Sequence, residues 1–389
     1  MFSIEKLKDF DNHVLASFIY DSKSKLRGFI AIHRGGLSRA AFGATRLWNY
    51  NSEVEALSET LRLSKLMTFK SALAGLKYGG AKAVIISHAI ANNEKKELLK
   101  SYALRVNCLN GRFITGADVG IGEADLKVMA SASPYIVGVK SDPVKYTALG
   151  VYYSIKVCLG EIFGKSDLRG RTFAIQGVGK TGLGLLKLLY PEAKKIYIAD
   201  TDVAVLDAVV KRFPKVEIVK TAQIYKQDID VFCPCALSNA INVRNVSKLR
   251  CKLIAGSANN QLQNSYIGEM LYKLGILYAP DYVVNAGGLI AVVDEYENEL
   301  PRLYSRGILS PSAERTSAST YLNAPSTDSH PWSSRFKYKN HDDERLARRV
   351  ERINQNLKLI IEASKKKRKA TNLVADEMAE KISAELYDG

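Results

Sequence analysis

The sequence predicts an α/β protein of two domains followed by C-terminal helices, the second domain built on a doubly wound parallel sheet. Three observations point there. At 389 residues, 47% hydrophobic and 25% charged, the chain can form two cores of ordinary globular composition. From about residue 170, short apolar runs alternate with helical stretches. A glycine-rich G-x-G-x-x-G stands at one of the strand–helix junctions.

The first 140 residues mix strands and helices. "VLASFIYDSKSKLRGFIAIH" alternates apolar and polar residues around a polar turn, as a hairpin does. "NSEVEALSETLRLSKLMTFK" predicts a helix, with Ser52 and Glu55 as a capping box and Val54, Leu57, Leu61 and Leu66 approximating one apolar stripe. "YGGAKAVI" (78–85) sets one lysine, Lys82, in a glycine-rich, otherwise apolar stretch. Either its stem snorkels at a strand edge, or the ammonium is kept partly dry so that it loses its proton near neutral pH.

Further on, "RTFAIQ", "KKIYIAD", "KVEIV", "DIDVFC", "CKLIAG" and "GILYAP" are expected as parallel strands, the first two joined by the helix "TGLGLLKLLY". The stretch 301–340 holds nine serines and four of the ten prolines without sustained periodicity, and is expected as a mobile loop or disordered insertion. After it, "DDERLARRVERINQNLKLIIEASKKKRKATNLVADEMAEKISAEL" resumes as two amphipathic helices. The resulting division is 1–140, 141–297 for the parallel-sheet domain, 298–340 for the Ser/Pro-rich insertion, and 341–389 for helices that close the cleft region.

Composition narrows the function. No apolar run approaches the roughly 20 residues of a membrane helix. The start, "MFSIEKLKDFDNHV", lacks a signal-peptide core, so cytoplasmic residence is expected. Five cysteines have neither zinc spacing nor a paired framework and read as reduced thiols; no metal site is expected. A formal charge of +16 is compatible with an acidic partner such as nucleic acid. The basic residues are spread along the chain, however, and the one dense run, "KKKRK" at 365–369, reads as a solvated helix end.

In "FAIQGVGKTGLG", Gly177, Gly179 and Gly182 follow a strand and open a helix. The turn Gly177, Val178, Gly179, Lys180, Thr181, Gly182 can therefore bring backbone N–H groups and a helix N-terminus to a pyrophosphate; the plain alternative is a glycine turn that binds nothing. Asp200, 23 positions after Gly177, can accept from an adenosine ribose and repel a 2′-phosphate, which favours NAD over NADP; Asp202 could share the role. A nicotinamide cofactor needs a substrate carbon that exchanges hydride. Lys70, Lys82 twelve residues later, and Asp118 would suit a zwitterionic amino acid, one lysine clamping its carboxylate and the other acting as base. Spacing alone leaves that assignment open.

"AFGATRLW", "MTFKSALAGLKYGGAKAVI", "GRFITGADVG", "QGVGKTG", "PCAL", "IAGSANNQL" and "YAPDYVVNAGGLIAVVDE" together resemble the leucine/phenylalanine/valine dehydrogenases within the wider glutamate-type amino-acid dehydrogenases. The resemblance covers roughly 10–300 and returns at 341–382. It implies a substrate-binding and catalytic α/β domain, a Rossmann-type NAD-binding domain, and a homo-oligomer. It also implies reversible NAD-dependent oxidative deamination of an amino acid to a 2-oxo acid and ammonia. Lys82 falls at the family's catalytic lysine, Asp118 at its proton-transferring aspartate, and Lys70 at the lysine binding the substrate carboxylate. Gly43 and Met67 fall beside the substrate. Thr147, Ala236, Asn259 and Asn285 fall on the cofactor side. Where glutamate-specific relatives hold the distal carboxylate with a lysine and a serine, this chain has Phe42 and Val292, with Leu289 nearby. Such an apolar pocket implies a branched-chain substrate, with an aromatic amino acid or glutamate as the alternatives, glutamate being disfavoured by its unpaired carboxylate.

The chain departs from the family pattern at Ile121, where a threonine is common, at a shortened 139–147 loop, and at 301–340. A second reading is therefore an inactive relative that binds nucleic acid or another polyanion. Salt would separate the two, since phosphate binding weakens steeply with it.

Overall fold

In the computed structural model, which describes residues 3–36, 39–87, 92–236, 238–305 and 341–387, the chain divides into two units. The first holds residues 3–142, 291–305 and 379–387; the second holds 143–290 and 341–378.

In the first unit the expected hairpin forms from β1 (Leu15–Asp21) and β2 (Leu26–Arg34). Then follow β3 (Ala41–Trp48), α1 (Glu53–Leu73), β4 (Gly79–Ile86), α2 (Asn92–Asn107), β5 (Phe113–Ala117) and α3 (Glu123–Ala132). The sheet order is β1-β2-β4-β3-β5, antiparallel from β1 to β4 and parallel among β4, β3 and β5. Ser52 caps α1 by accepting from the Glu55 N–H at 3.1 Å. The Glu55 carboxylate, expected to return to Ser52, accepts instead from the Asn51 N–H at 2.8 Å.

The buried stripe of α1 also differs from the expected one. Leu57 and Leu61 are buried against Phe29, Ala31 and Val84, but Val54, in the first turn, is 50% exposed and Leu66 is only half-buried. Small residues do the rest: Ala56, Thr60, Ser64 and Thr68 are buried and let the helix lie close on the sheet. At Gly80 a Cβ would stand 1.9 Å from the Thr68 nitrogen, so only glycine fits beneath α1 there. On the other sheet face, Thr45 hydrogen-bonds Tyr102 of α2 at 2.6 Å.

The second unit starts with α4 (Pro143–Phe163), a 21-residue helix with most of its length buried. All six apolar runs become parallel strands: β6 (Thr172–Gln176), β7 (Lys195–Ala199), β8 (Val216–Ile218), β9 (Val231–Pro234), β10 (Leu253–Ile254) and β11 (Leu277–Tyr278). Their order, β11-β10-β9-β6-β7-β8, is that of a Rossmann sheet, reversing direction at β6. The helices α5 (Lys180–Leu189), α6 (Val203–Arg212) and α7 (Ser265–Lys273) alternate with the strands. A short α8 (Asp281–Val284) leads into α9 (Gly287–Ser305).

The boundary expected at 297/298 falls inside α9, which continues to Ser305 with Pro301 in it; the serine-rich composition becomes dense only beyond that helix. The insertion proper, 306–340, lies outside the described residues. C-terminal to it there are three helices where two were expected: α10 (His341–Glu351), α11 (Ile353–Lys367) and α12 (Thr371–Tyr387). The first break is slight, because Arg352 keeps helical backbone angles (φ −60°, ψ −20°). The second is a full stop at Arg368, which takes the left-handed C-cap conformation (φ 51°, ψ 45°).

Candidate active site

Sheet register decides which side chains of the first unit share a face. β3 pairs Phe42 with Gly80 and Thr45 with Ala83, which puts Ala44 level with Lys82; on its other side Ala44 pairs with Gly116 of β5. Lys82, Ala44 and Gly116 therefore form one row, two residues without bulk beside one ammonium. The adjacent row on the same face holds Arg46 opposite Val84, with Asp118 just beyond the end of β5.

Lys82 is 5% exposed, and its Nζ donates to Asp118 Oδ2 at 2.5 Å. Arg46 Nε donates to the same oxygen at 3.1 Å. Behind it, Arg46 Nη1 donates to Glu59 of α1, which also accepts from Tyr50 Oη at 3.4 Å and Arg62 at 3.4 Å. Burial pushes the Asp118 carboxyl up, but the charges of Lys82 and Arg46 outweigh it and hold the group well below the usual carboxylate range. The charged group that Lys82 touches is a carboxylate. Lys70 lies in the last turn of α1, half-buried, and Met67 lies one turn earlier, also half-buried.

Phe42 is fully buried and packs between Tyr78 (ring centroids 4.8 Å apart) and Tyr296 (5.4 Å). Gly43 is fixed by the sheet itself, since a Cβ would lie 2.1 Å from the Ala81 carbonyl oxygen. Val292 on α9 is half-buried, 3.6 Å from where a Cβ on Gly138 would sit; Leu289, one turn earlier, is buried within the second unit. The shortened loop has its own anchor: the Glu295 carboxylate accepts from the N–H groups of Gly138 (3.0 Å) and Ser141 (2.9 Å) and from Ser141 Oγ (2.6 Å).

In the second unit the glycine turn stands at the C-terminal end of β6, where an open parallel sheet binds ligands. Gly177 has φ +91°, and Gly182 admits no Cβ, which would sit 2.0 Å from the Gly177 oxygen. Gly179 differs. It caps α5, and a Cβ there would meet nothing within 4 Å, so the space beside it is open to a ligand. Lys180 is exposed, Thr181 half-buried and Val178 buried. Asp200 braces the turn, accepting from the Val178 N–H at 2.8 Å and the Asp202 N–H at 3.1 Å. Asp202, expected as a possible ribose ligand, is occupied as the N-cap of α6, accepting from Ala204 (2.9 Å) and Val205 (3.2 Å). Ala236 lies against Gly177.

Asn285 is 2% exposed; its Nδ2 donates to Asn259 Oδ1 at 2.9 Å, while its own Oδ1 is buried with no hydrogen-bond partner. An unpaired buried acceptor just past α8 has the chemistry to take an amide N–H such as that of nicotinamide. Thr147 donates to the Pro143 carbonyl at 2.7 Å and abuts Gly288. The second unit thus offers a glycine turn, an open helix N-terminus and an unmet acceptor, groups that could hold a dinucleotide.

Sequence reasoning missed Arg46, Glu59 and Glu295. Arg46 had a signal, because alternation through "AFGATRLW" puts 42, 44 and 46 on one face. Glu59 and Glu295 had none. The lysine-rich run ends α11 as expected; Lys365 pairs with Glu161 at 2.7 Å, Lys367 with Glu377 at 2.6 Å, and Lys369 with Glu377. Among the described residues no group of His, Cys, Asp and Glu could hold a metal ion, and no helix is long and apolar enough to cross a membrane.

A family model described as the Glu/Leu/Phe/Val dehydrogenase dimerisation domain matches residues 16–135, and a Glutamate/Leucine/Phenylalanine/Valine dehydrogenase model matches 204–306. Leucine dehydrogenase of Geobacillus stearothermophilus is 40% identical over 72% of this chain and 77% of its own length. Leucine dehydrogenase of Bacillus cereus is 34% identical over 95% and 90% respectively. The crystal structure of L-tryptophan dehydrogenase from Nostoc punctiforme superposes with a TM-score of 0.74 at 34% identity, covering 96% of each chain.

Proposed function

This chain belongs to the Glu/Leu/Phe/Val dehydrogenase family and is an amino-acid dehydrogenase; we propose that it catalyses the reversible, NAD-dependent oxidative deamination of a branched-chain L-amino acid. The balance is amino acid, water and NAD⁺ giving 2-oxo acid, ammonia, NADH and a proton. The observation that carries this reading is the pair of buried Lys82 and half-buried Asp118 beside the bulk-free row of Ala44 and Gly116.

Lys70 holds the substrate carboxylate. The bound nicotinamide supplies a hydride acceptor for the α-carbon, and the Asn285 Oδ1 acceptor with the open side of Gly179 holds the cofactor. Lys82, once it has passed on its proton, takes one from the water that attacks the imine, and Asp118 moves protons to and from the nitrogen. Asp200 beside the glycine turn disfavours a 2′-phosphate, hence NAD. Phe42 in place of a cation leaves a glutamate side-chain carboxylate unpaired, which costs several kcal/mol of binding. The likeness to a tryptophan dehydrogenase favours an aromatic substrate as the second reading; against it, the space behind Phe42 is filled by Tyr78 and Tyr296. The match to a dimerisation-domain model supports a homo-oligomer, which we place in the cytoplasm.

The test is reduced-nicotinamide absorbance with the purified protein, NAD or NADP, and leucine, valine, phenylalanine, tryptophan and glutamate. Leucine or valine with NAD should give the largest kcat/KM. Turnover of glutamate alone overturns the pocket argument, preference for NADP overturns the role of Asp200, and no turnover of any amino acid overturns the function.

A further inference from the structure

We infer that Arg46, anchored by Glu59, is a positioning residue that keeps the Asp118 carboxylate fixed and ionised while Lys82 is without its proton. The inference rests on Lys82 acting as the base.

A catalytic pair with only two members has a defect. When a buried lysine gives up its proton, the carboxylate beside it loses its counter-charge and faces a dry pocket alone. It would then take up a proton itself, and could no longer accept one from the substrate nitrogen. Here Asp118 Oδ2 has a second cation, Arg46 Nε at 3.1 Å, on the same oxygen that Lys82 reaches at 2.5 Å. A guanidinium stays charged throughout any working range, so its support does not vanish with the lysine's proton.

Geometry favours this role over direct contact with substrate. Arg46 lies one row beyond Lys82, Ala44 and Gly116, and its fork is used on both sides, Nε on Asp118 and Nη1 on Glu59. Glu59, with the Tyr50 hydroxyl and Arg62 on it, ties the guanidinium to α1, the helix that also carries Lys70. Charges therefore alternate along Lys82, Asp118, Arg46 and Glu59. The charged and titratable groups facing Asp118 are Lys82 of β4 and Arg46 of β3, and behind Arg46 stand Glu59 and Tyr50, with the Val119 N–H adding a neutral hydrogen bond.

The test follows the Asp118 carboxyl directly, by ¹³C NMR of the full-length protein labelled at aspartate Cγ, in Lys82→Met and in Lys82→Met with Arg46→Met. With Arg46 present, Asp118 should stay ionised at neutral pH although Lys82 is gone. Removing both should move its midpoint up by about 1–3 pH units. Arg46→Lys, which keeps a cation but not the fork, should fall between and serves if the methionine variant misfolds. In turnover, Arg46→Met alone should lower kcat about tenfold to a hundredfold, leave the KM for NAD unchanged, and move the acid limb of the pH profile upward, with partial rescue by Arg46→Lys. An Asp118 midpoint that is the same in the single and double variants overturns the inference. If the wild type turns over no amino acid, the functional reading falls, and the titration still decides what Arg46 does.

Discussion

The two candidate sites hold their key aspartates by opposite means. Asp118 is held by side-chain charge, its Oδ2 shared by an ammonium from β4 and a guanidinium from β3. Asp200 is held by backbone, through the N–H groups of Val178 and Asp202. A charge-held group answers to the loss or gain of a proton and can take part in proton transfer. A backbone-held group is fixed by donors that carry no titrating proton, and serves as a fixed edge for a ligand. The difference matches the tasks proposed for them, and it sets what each site tolerates.

Breaking the charge-held site should have the largest effect. Lys82→Ala removes the base and should lower kcat by about 10²–10⁴-fold. Because Arg46 still faces Asp118, the protein should stay folded, which thermal melts will check. Equal activity in Lys82→Ala and wild type would mean that the base lies elsewhere.

The backbone-held site should break by geometry instead. Gly182→Ala drives a Cβ to 2.0 Å from the Gly177 oxygen, so the turn itself must shift and the second unit should lose about 1–3 kcal/mol as well as cofactor affinity. Gly179→Ala is the contrast. Its Cβ meets no protein atom within 4 Å, so melting should be unchanged, while the KM for NAD should rise about tenfold if the open space is where the cofactor lies. Calorimetry of both variants with and without NAD separates the two effects; an unchanged KM in Gly179→Ala removes the pyrophosphate from that turn.

The same contrast explains what could be read from the sequence. The glycine turn is local. Gly177 to Gly182 are six consecutive residues between a strand and a helix, so spacing alone predicted the turn and its place between β6 and α5. The inner strands β6, β9 and β10 were visible because a parallel strand buried on both faces is a continuous apolar run, whereas the edge strand β8 showed only as a short apolar alternation with Glu217 and Ile218 exposed. The charge-held site is not local. Arg46, Glu59, Lys82 and Asp118 come from β3, α1, β4 and the end of β5, and only register brings them together. Lys82 was singled out by its apolar surroundings, whereas Glu59 sits in a helix where a carboxylate is unremarkable. The stripe of α1 misled for a related reason. Contact with the sheet is made as much by Ala56, Thr60, Ser64 and Thr68 as by leucines, and a hydropathy pattern does not register small polar residues used for close approach.

A third polar region, against α1, has a neutral imidazole at its centre, and its expected effect is the smallest. His33, 2% exposed, lies with Nδ1 3.0 Å from Thr68 Oγ1 and Nε2 3.1 Å from Asp11 Oδ2; Lys65 reaches that oxygen at 2.8 Å. Burial, with Arg34 and His13 nearby, pushes the imidazole down to about 3. It is therefore neutral, its Nε2–H donating to Asp11 and its Nδ1 accepting from Thr68, two residues before Lys70. An unfolded histidine titrates near 6.5. Between about 6.5 and about 3 the unfolded chain binds a proton that the folded chain does not, so stability rises with pH in that window and is lost on acidification. Burial raises the Asp11 carboxyl, but Lys65 and His33 bring it down to about 2, so its contribution has the same sign at lower pH, present above about 4 and lost toward 2. His33→Gln keeps a donor and an acceptor but has no proton to bind. Urea melts should find it close to wild type at pH 7 and with a flatter loss of stability between pH 6 and 4. Some slope should persist, because burial pushes His13 down as well. Identical slopes in the two proteins would mean that His33 is already protonated in the folded chain. Asp11 would then lie between two cations, Lys65 and His33, as Asp118 does, and backbone holding would be left to the glycine turn alone.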